Sequence, residues 1–393
     1  METAVAPRVK TIKSIDIYMI CVFLYAIVQS EISIQYPTVK TIIMTTLFSL
    51  SFLAVLMEVL KKVKIKKVAI SIWIGMFLII SYLVLKDGWD DGFYLMIPFS
   101  FVTHRYNQKE VLRRYCLSMF CGIFLIIFLC KIGILQNIVY HDILTGETRE
   151  YLGFNWTTFG PNMLFGAIMA FIVIKDKNIK AWELLTLFAI NYWFKLKTNT
   201  TAVYLTVNLA LILDLIGKSN TVRSIILKNR VVQKLATHIF SIVCAFTIIF
   251  QLFYNSHPNL SIMKEANLAS NYRLGLNALA FSNYRITIFG QKIVFNQNGH
   301  GRNYFFLDSS YIYILFTGGI IALVSICWLL NKVSEQAITS ENYFLLVALF
   351  VLALHSVTDP QLVDIRNNPF IMLIVPSIIS LRNTLNVRML GTV

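Results

Sequence analysis

Charge is what this sequence has least of. Asp, Glu, Lys and Arg make up 14% of its 393 residues, against roughly a quarter in soluble domains. Hydrophobic residues make up 57%, and mean hydropathy is +0.66. A chain of this balance is an integral membrane protein. Other absences narrow it further. The six cysteines (Cys21, Cys116, Cys121, Cys130, Cys244 and Cys327) all fall in or beside apolar spans, so a disulfide framework is not expected. The first apolar stretch is too long, and lacks the small-residue cleavage site, for a removable signal peptide. There is no HExxH, CxxC or GxSxG motif and no internal repeat. "DLIGKS" (Asp214 to Ser219) ends like a phosphate-binding loop, but Ile212 stands where that loop needs its first glycine. Nucleic acid is not an expected partner either. The net charge of +15 comes from short basic runs separated by apolar spans, as the positive-inside rule anticipates.

A helix needs about 20 apolar residues to cross a bilayer. On that basis twelve spans are expected: 15–33, 41–60, 68–86, 92–103, 115–139, 156–175, 181–194, 200–217, 235–254, 308–330, 342–358 and 368–381. With the N-terminus cytoplasmic, both termini, "KKVKIKK", "HRYNQKEVLRR", "KDKNIK", the loop 217–234 and Lys332 fall on one side. By count they hold 23 of the 35 Lys and Arg residues. The bias therefore puts both termini in the cytoplasm.

What remains is one integral membrane domain with one large external loop, 255–307. Long loops of this kind are usually functional. Leu268, Tyr272, Leu276 and Leu279 form an apolar stripe in it, so a short surface helix is expected, with Arg273 beside the stripe. The acidic turn "DGWDD" (Asp87 to Asp91) has oxygen ligands of the kind a divalent cation takes, but such a turn is more often a solvated cap between helices, and no metal is expected there. Three Asn-x-Ser/Thr matches, at Asn155, Asn199 and Asn259, are expected by chance.

The external face collects Arg149, Arg273, Arg285, Arg302 and Arg366. It also collects His141, His257, His300 and His355, and the acids Glu147, Glu150, Glu265, Asp308, Asp359 and Asp364. External arginines run against the positive-inside rule, and arginine forks match phosphate and carboxylate oxygens. A set of them suits an anionic group arriving at the outer surface. His300 has the chemistry of a general base. Asp308, Ser309 and Ser310 suit a helix cap. Asn162 is expected to face inward from the start of span six, where Pro161 fits the first turn and Thr158 the cap.

Several stretches resemble a family. "REYLGFNWTTFGPNMLFG" (149–166) is similar to that family's Arg, Gly-Phe and Pro-Asn entry into a helix. "NYWFKLKTNTTAVYL" (191–205) resembles its threonine-rich junction, without the usual Ser-Arg. The loop carries "YRLGLNALAF" and "ITIFGQKI". "LDSSYIYILFTGG" is similar to its Asp-Asn-x-Tyr entry, with Ser309 in place of Asn, and "HSVTDPQLVDIRNNPF" looks like its last external turn. The chain thereby resembles a Wzy-type polysaccharide polymerase of the O-antigen ligase and polymerase superfamily.

The resemblance implies an all-α polytopic fold of about twelve helices, like the membrane-embedded class C glycosyltransferases, in the bacterial cytoplasmic membrane. It implies a polyprenyl-pyrophosphate-linked oligosaccharide as substrate, and transfer of the growing glycan onto a new lipid-linked unit outside the membrane. A flippase and a chain-length regulator are the implied protein partners, and no cofactor or metal is implied. Arg273 and Arg149 become the expected pyrophosphate clamp by motif position. Arg285, Arg302 and Arg366 are secondary. His300 or Asp308 is the expected base, and Tyr311 is expected to stack on sugar. Two alternatives stand beside this: a ligase passing glycan to another acceptor, and a transporter for the same lipid-linked sugar. Transporters tend toward internal repeats and midplane polar groups. Here the polar groups gather outside.

Overall fold

Backbone polar groups in a bilayer core must pair within their own segment, and this favours helices. The computed structural model of the chain follows that rule. It describes residues 12–60, 95–141, 146–296 and 304–390, with isolated positions between 70 and 78. Span 68–86, the run Lys61–Lys67 and the turn Asp87–Asp91 lie wholly or mostly outside the described residues, as do His300 and Arg302.

The helices are α1 (Ser14–Ile27), α2 (Ile32–Gln35), α3 (Pro37–Leu60), α4 (Met96–Thr103) and α5 (Gln108–Lys131). A hairpin of β1 (Val139–His141) and β2 (Thr148–Glu150) follows, pairing Tyr140 with Arg149. Then come α6 (Phe159–Lys175), α7 (Ala181–Thr198), α8 (Thr201–Gly217), α9 (Asn220–Lys228), α10 (Arg230–Thr237) and α11 (Ile239–Ser256). The loop holds α12 (Ser261–Ala269) and α13 (Arg273–Asn283). The chain closes with α14 (Ser310–Thr317), α15 (Gly319–Thr339), α16 (Tyr343–His355), a 3-10 turn (Pro369–Leu373) and α17 (Ile374–Leu390).

Among the described residues five helices are long and apolar enough to cross a membrane: Pro37–Leu60, Gln108–Lys131, Phe159–Asn178, Ile239–Ser256 and Gly319–Thr339. A sixth arises if α8 and α9, bent by 104°, count as one span. α1, α16 and Pro369–Arg382 are shorter apolar helices. The chain is a mostly helical, membrane-embedded protein. Its burial pattern says the same. The apolar window of Phe159–Asn178 is 72% buried and that of Pro37–Leu60 only 22%, so α6 is the hub and α3 lies at the rim. Phe52, Phe124 and Phe246 point outward. Such residues are costly in water and suited to lipid.

Close approach at the hub depends on Gly166. A Cβ there would lie 2.5 Å from the Tyr115 hydroxyl and 2.6 Å from the Asn367 carbonyl oxygen. The missing side chain lets the turn after α16 lie against α6, where Tyr115 donates to the Arg366 carbonyl at 2.6 Å.

Two expected helices are broken. The apolar stripe from Leu268 to Leu279 does not run along one helix. Asn271 (φ 53°) and Tyr272 (φ 62°) take the left-handed conformation, and the chain restarts at Arg273 as α13. Span 308–330 is split at Gly318–Gly319, with Gly319 at φ 78°. The loop enters this break. Ile320 and Ile321 donate backbone N–H groups to the Thr287 and Ile288 carbonyls at 3.1 and 3.2 Å, and Gln291 N–H reaches the Phe316 carbonyl at 3.2 Å. A Cβ on Gly290 would sit 2.0 Å from the Thr317 oxygen. The stretch "ITIFGQ" is thereby fixed into the bundle.

Candidate active site

Polar side chains converge where α13, the start of α14 and the turn after α16 meet. Arg273 opens α13, following two left-handed residues. A cation at the positive end of a helix runs against the dipole, and strained backbone of this kind clusters at functional sites. Its Nε donates to Asp308 Oδ2 at 3.2 Å, with both side chains about one-fifth exposed. The other guanidinium N–H groups have no partner among the described residues. Burial pushes the Asp308 carboxyl up, and the Arg273 charge opposes the shift. Asp308 does not cap α14. Ser309 stands at the cap, without a side-chain bond, and its buried Oγ has no partner among the described residues.

Ser310 ties this lip to the turn after α16. Its N–H donates to the carbonyls of Ser356 (2.9 Å) and Asp359 (3.1 Å), its hydroxyl also reaches the Asp359 carbonyl, and Leu362 N–H donates to Ser310 Oγ at 3.0 Å. Asp359 is thus held beside Asp308. Asn162, fully buried on α6, donates Nδ2–H to Asp359 Oδ2 at 2.7 Å. The Asn162 oxygen lies 3.1 Å from His355 Nε2, and His355 Nδ1 lies 3.3 Å from Thr206 Oγ1 on α8. With Nδ2 donating to Asp359, the Asn162 oxygen can only accept, so His355 carries its proton on Nε2. The imidazole stacks on Phe165 at 4.3 Å. Burial raises the Asp359 carboxyl to about 7, against the nearby Arg273 charge and the Asn162 hydrogen bond. Its Oδ1 is buried without a partner among the described residues. Tyr304, close enough to feel Asp308, Arg273 and Tyr151, has its phenol pushed up by burial.

The other expected residues are distributed unevenly. Arg366 is buried and saturated: Nε lies 3.0 Å from both Asp364 oxygens and Nη2 lies 2.9 Å from Oδ2. Its guanidinium also lies over the Tyr25 ring at 4.2 Å. With the Gln29 amide turned so that both its ends are satisfied, the Gln29 oxygen accepts from Arg366 at 2.6 to 2.9 Å. Tyr311 is a correction. It is fully buried, its hydroxyl donating to the Ala353 carbonyl at 3.1 Å. An apolar α14 buried on nearly all sides leaves it no face for a sugar. Arg149 belongs to another cluster, 3.8 Å from Glu147 on the hairpin, which docks on the α7–α8 corner. There Asn199 bonds Glu147, and Lys197 reaches Glu150 at 2.8 Å. Arg285 lies exposed in the loop after α13, its carbonyl accepting from Gln291.

The sequence groups His355 and Asp359 with the other polar residues of that face without giving either a role, and it gives no role to Tyr304. The available signal was a His and an Asp four residues apart at the end of an apolar helix, where polar groups are expensive and usually functional. No family model, no curated protein and no solved structure matches this chain.

Proposed function

We propose that this chain is a glycan polymerase of the Wzy type, joining polyprenyl-pyrophosphate-linked repeat units at the outer face of a bacterial cytoplasmic membrane. This reading carries twelve crossings, both termini in the cytoplasm and a class C glycosyltransferase architecture. The observation that supports it best is Arg273: a recessed arginine at a strained helix start, held by one bond to a carboxylate, with its remaining donors unoccupied among the described residues.

The chemistry follows from that arrangement. The acceptor sugar hydroxyl attacks the anomeric carbon of the donor glycan. The new glycosidic C–O bond forms as the C–O bond to pyrophosphate breaks, and the pyrophosphate leaves with the electron pair. Arg273 turns its unoccupied N–H groups to the developing phosphate charge, the task of a preorganised electrostatic site. Asp308 takes the hydroxyl proton. Its burial raises its basicity toward the range useful for that step. Asn162 and His355 hold Asp359 behind it.

The test replaces the native chain in cells by Arg273→Lys, which keeps the charge and loses the fork. Surface glycan run on a gel is expected to lose long chains and keep single-repeat material. Chains of normal length from this variant overturn the reading.

A further inference from the structure

The opposite end of the bundle carries a different kind of surface. α16 spans about 20 Å from His355 at the site to Tyr343 (1.5 Å per residue). Near Tyr343 its hydroxyl donates to the Leu213 carbonyl at 3.0 Å, and Arg223 lies over Phe344 at 5.8 Å. Here α8 ends and the chain turns by 104° into α9. A helix perpendicular to a span runs in the plane of the membrane surface. Asn229 then makes a second corner, its Oδ1 accepting from Val231 and Val232 N–H at 2.9 and 3.1 Å to start α10.

The elbow 218–238 holds five cations (Lys218, Arg223, Lys228, Arg230, Lys234) and no acid. Two of the five are engaged locally. Arg223 donates to the Gly217 carbonyl at 2.7 Å, and Lys218 lies near Asp214. Lys228, Arg230 and Lys234 are exposed and pair with no acid among the described residues. On α10, Arg230 and Lys234 lie one turn apart, and beside them run Val231 and Leu235, 66% and 53% exposed. Ile225 on α9 is 62% exposed. No residue of either helix is fully buried. A basic stripe flanking an apolar one is the pattern of a helix lying at the headgroup level of a bilayer. The neighbouring cleft between Lys109, Asp176, Arg223 and Glu341 is a poorer anion seat, because Lys109 is paired with Asp176 at 3.3 Å.

We infer that the α9–α10 elbow is a binding surface for anionic phospholipid, with Lys228, Arg230 and Lys234 on the headgroup phosphates and Val231, Leu235 and Ile225 in the acyl boundary. Basic residues at a membrane surface attract acidic headgroups, and the attraction fades over a Debye length. This surface is independent of the chemistry at the other end.

The test uses the purified full-length chain in nonionic detergent. Dioleoyl-phosphatidylglycerol or dioleoyl-phosphatidylcholine is titrated in, and bound lipid is counted by native mass spectrometry. The wild type is expected to prefer phosphatidylglycerol, and K228Q/R230Q/K234Q to lose that preference by about a hundredfold. Inorganic phosphate at millimolar concentration is expected not to displace the lipid, because it supplies no acyl chains for Val231 and Leu235. If the triple variant fails to fold, the wild type is titrated in 1 M salt, where screening is expected to remove the preference. Equal binding of both lipids by the wild type overturns the inference. So does an unchanged preference in the triple variant or in 1 M salt, or displacement of the lipid by phosphate.

Discussion

Two Arg–Asp pairs stand at the same end of this protein and differ in almost every physical respect. Arg366 meets Asp364 through both carboxylate oxygens, with side chains 9% and 12% exposed, a tyrosine ring beneath it and the Gln29 amide beside it. Arg273 meets Asp308 through one nitrogen, with side chains 21% and 22% exposed and its other donors unoccupied among the described residues. A buried cation whose donors are all used fixes structure. A recessed cation with donors to spare is poised to receive an anion. Residue type did not separate the two, because both are arginines bonded to an aspartate. The count and direction of their bonds did.

The comparison breaks most visibly at Arg366. Arg366→Ala leaves Asp364 buried without its partner, and stability is expected to fall by about 3–5 kcal/mol. Thermal unfolding in detergent measures it, and an unchanged midpoint removes the structural assignment. Arg273→Ala is expected to do the reverse. Glycan transfer falls by about 10²–10³, or ~2.7–4 kcal/mol of transition-state stabilisation, while the unfolding midpoint moves little. A large loss of stability with normal polymer would merge the two pairs into one class. Asn162→Ala, which strips a partner from both Asp359 and His355, is expected to cost about 1–3 kcal/mol of stability, read from the same unfolding curves.

The effect most spread out in its readout is a slope with pH. Burial raises the Asp359 carboxyl to about 7, above its ordinary value near 4. The folded chain therefore keeps a proton that the unfolded chain releases. Stability from this group is full below pH ~4, declines between about 4 and 7, and is level above. The slope from one proton is at most about 1.4 kcal/mol per pH unit. Asp359→Asn is expected to flatten that part of the stability–pH curve. Parallel curves for the two proteins would count against a neutral Asp359.

Much of the fold was legible because membrane helices announce themselves. The runs giving α3, α5, α6 and α11 are long, apolar and free of competing periodicity, and lipid leaves the backbone few alternatives. The breaks were less legible. "LFTGG" reads as the middle of a span, and only the insertion of residues 287–291 beside it explains two glycines there. The stripe through Leu268 and Leu279 is periodic across a point where Asn271 and Tyr272 turn left-handed. Asp308 looked like a helix cap, since capping depends on local sequence, but the capping position fell to Ser309 and Asp308 turned to Arg273.

The sequence by itself determined that the chain lives in a membrane, which stretches become its long helices, and that polar groups gather around one loop. Those follow from transfer of side chains and backbone between water and lipid, a property of each segment alone. Which arginine keeps donors unpaired among the described residues was decided only by tertiary structure. So was the joining of Asn162, Thr206 and the His355–Asp359 turn, from three separate stretches, into one network. Hydrogen bonds reach only about 3 Å, so partners that far apart in sequence are chosen by packing.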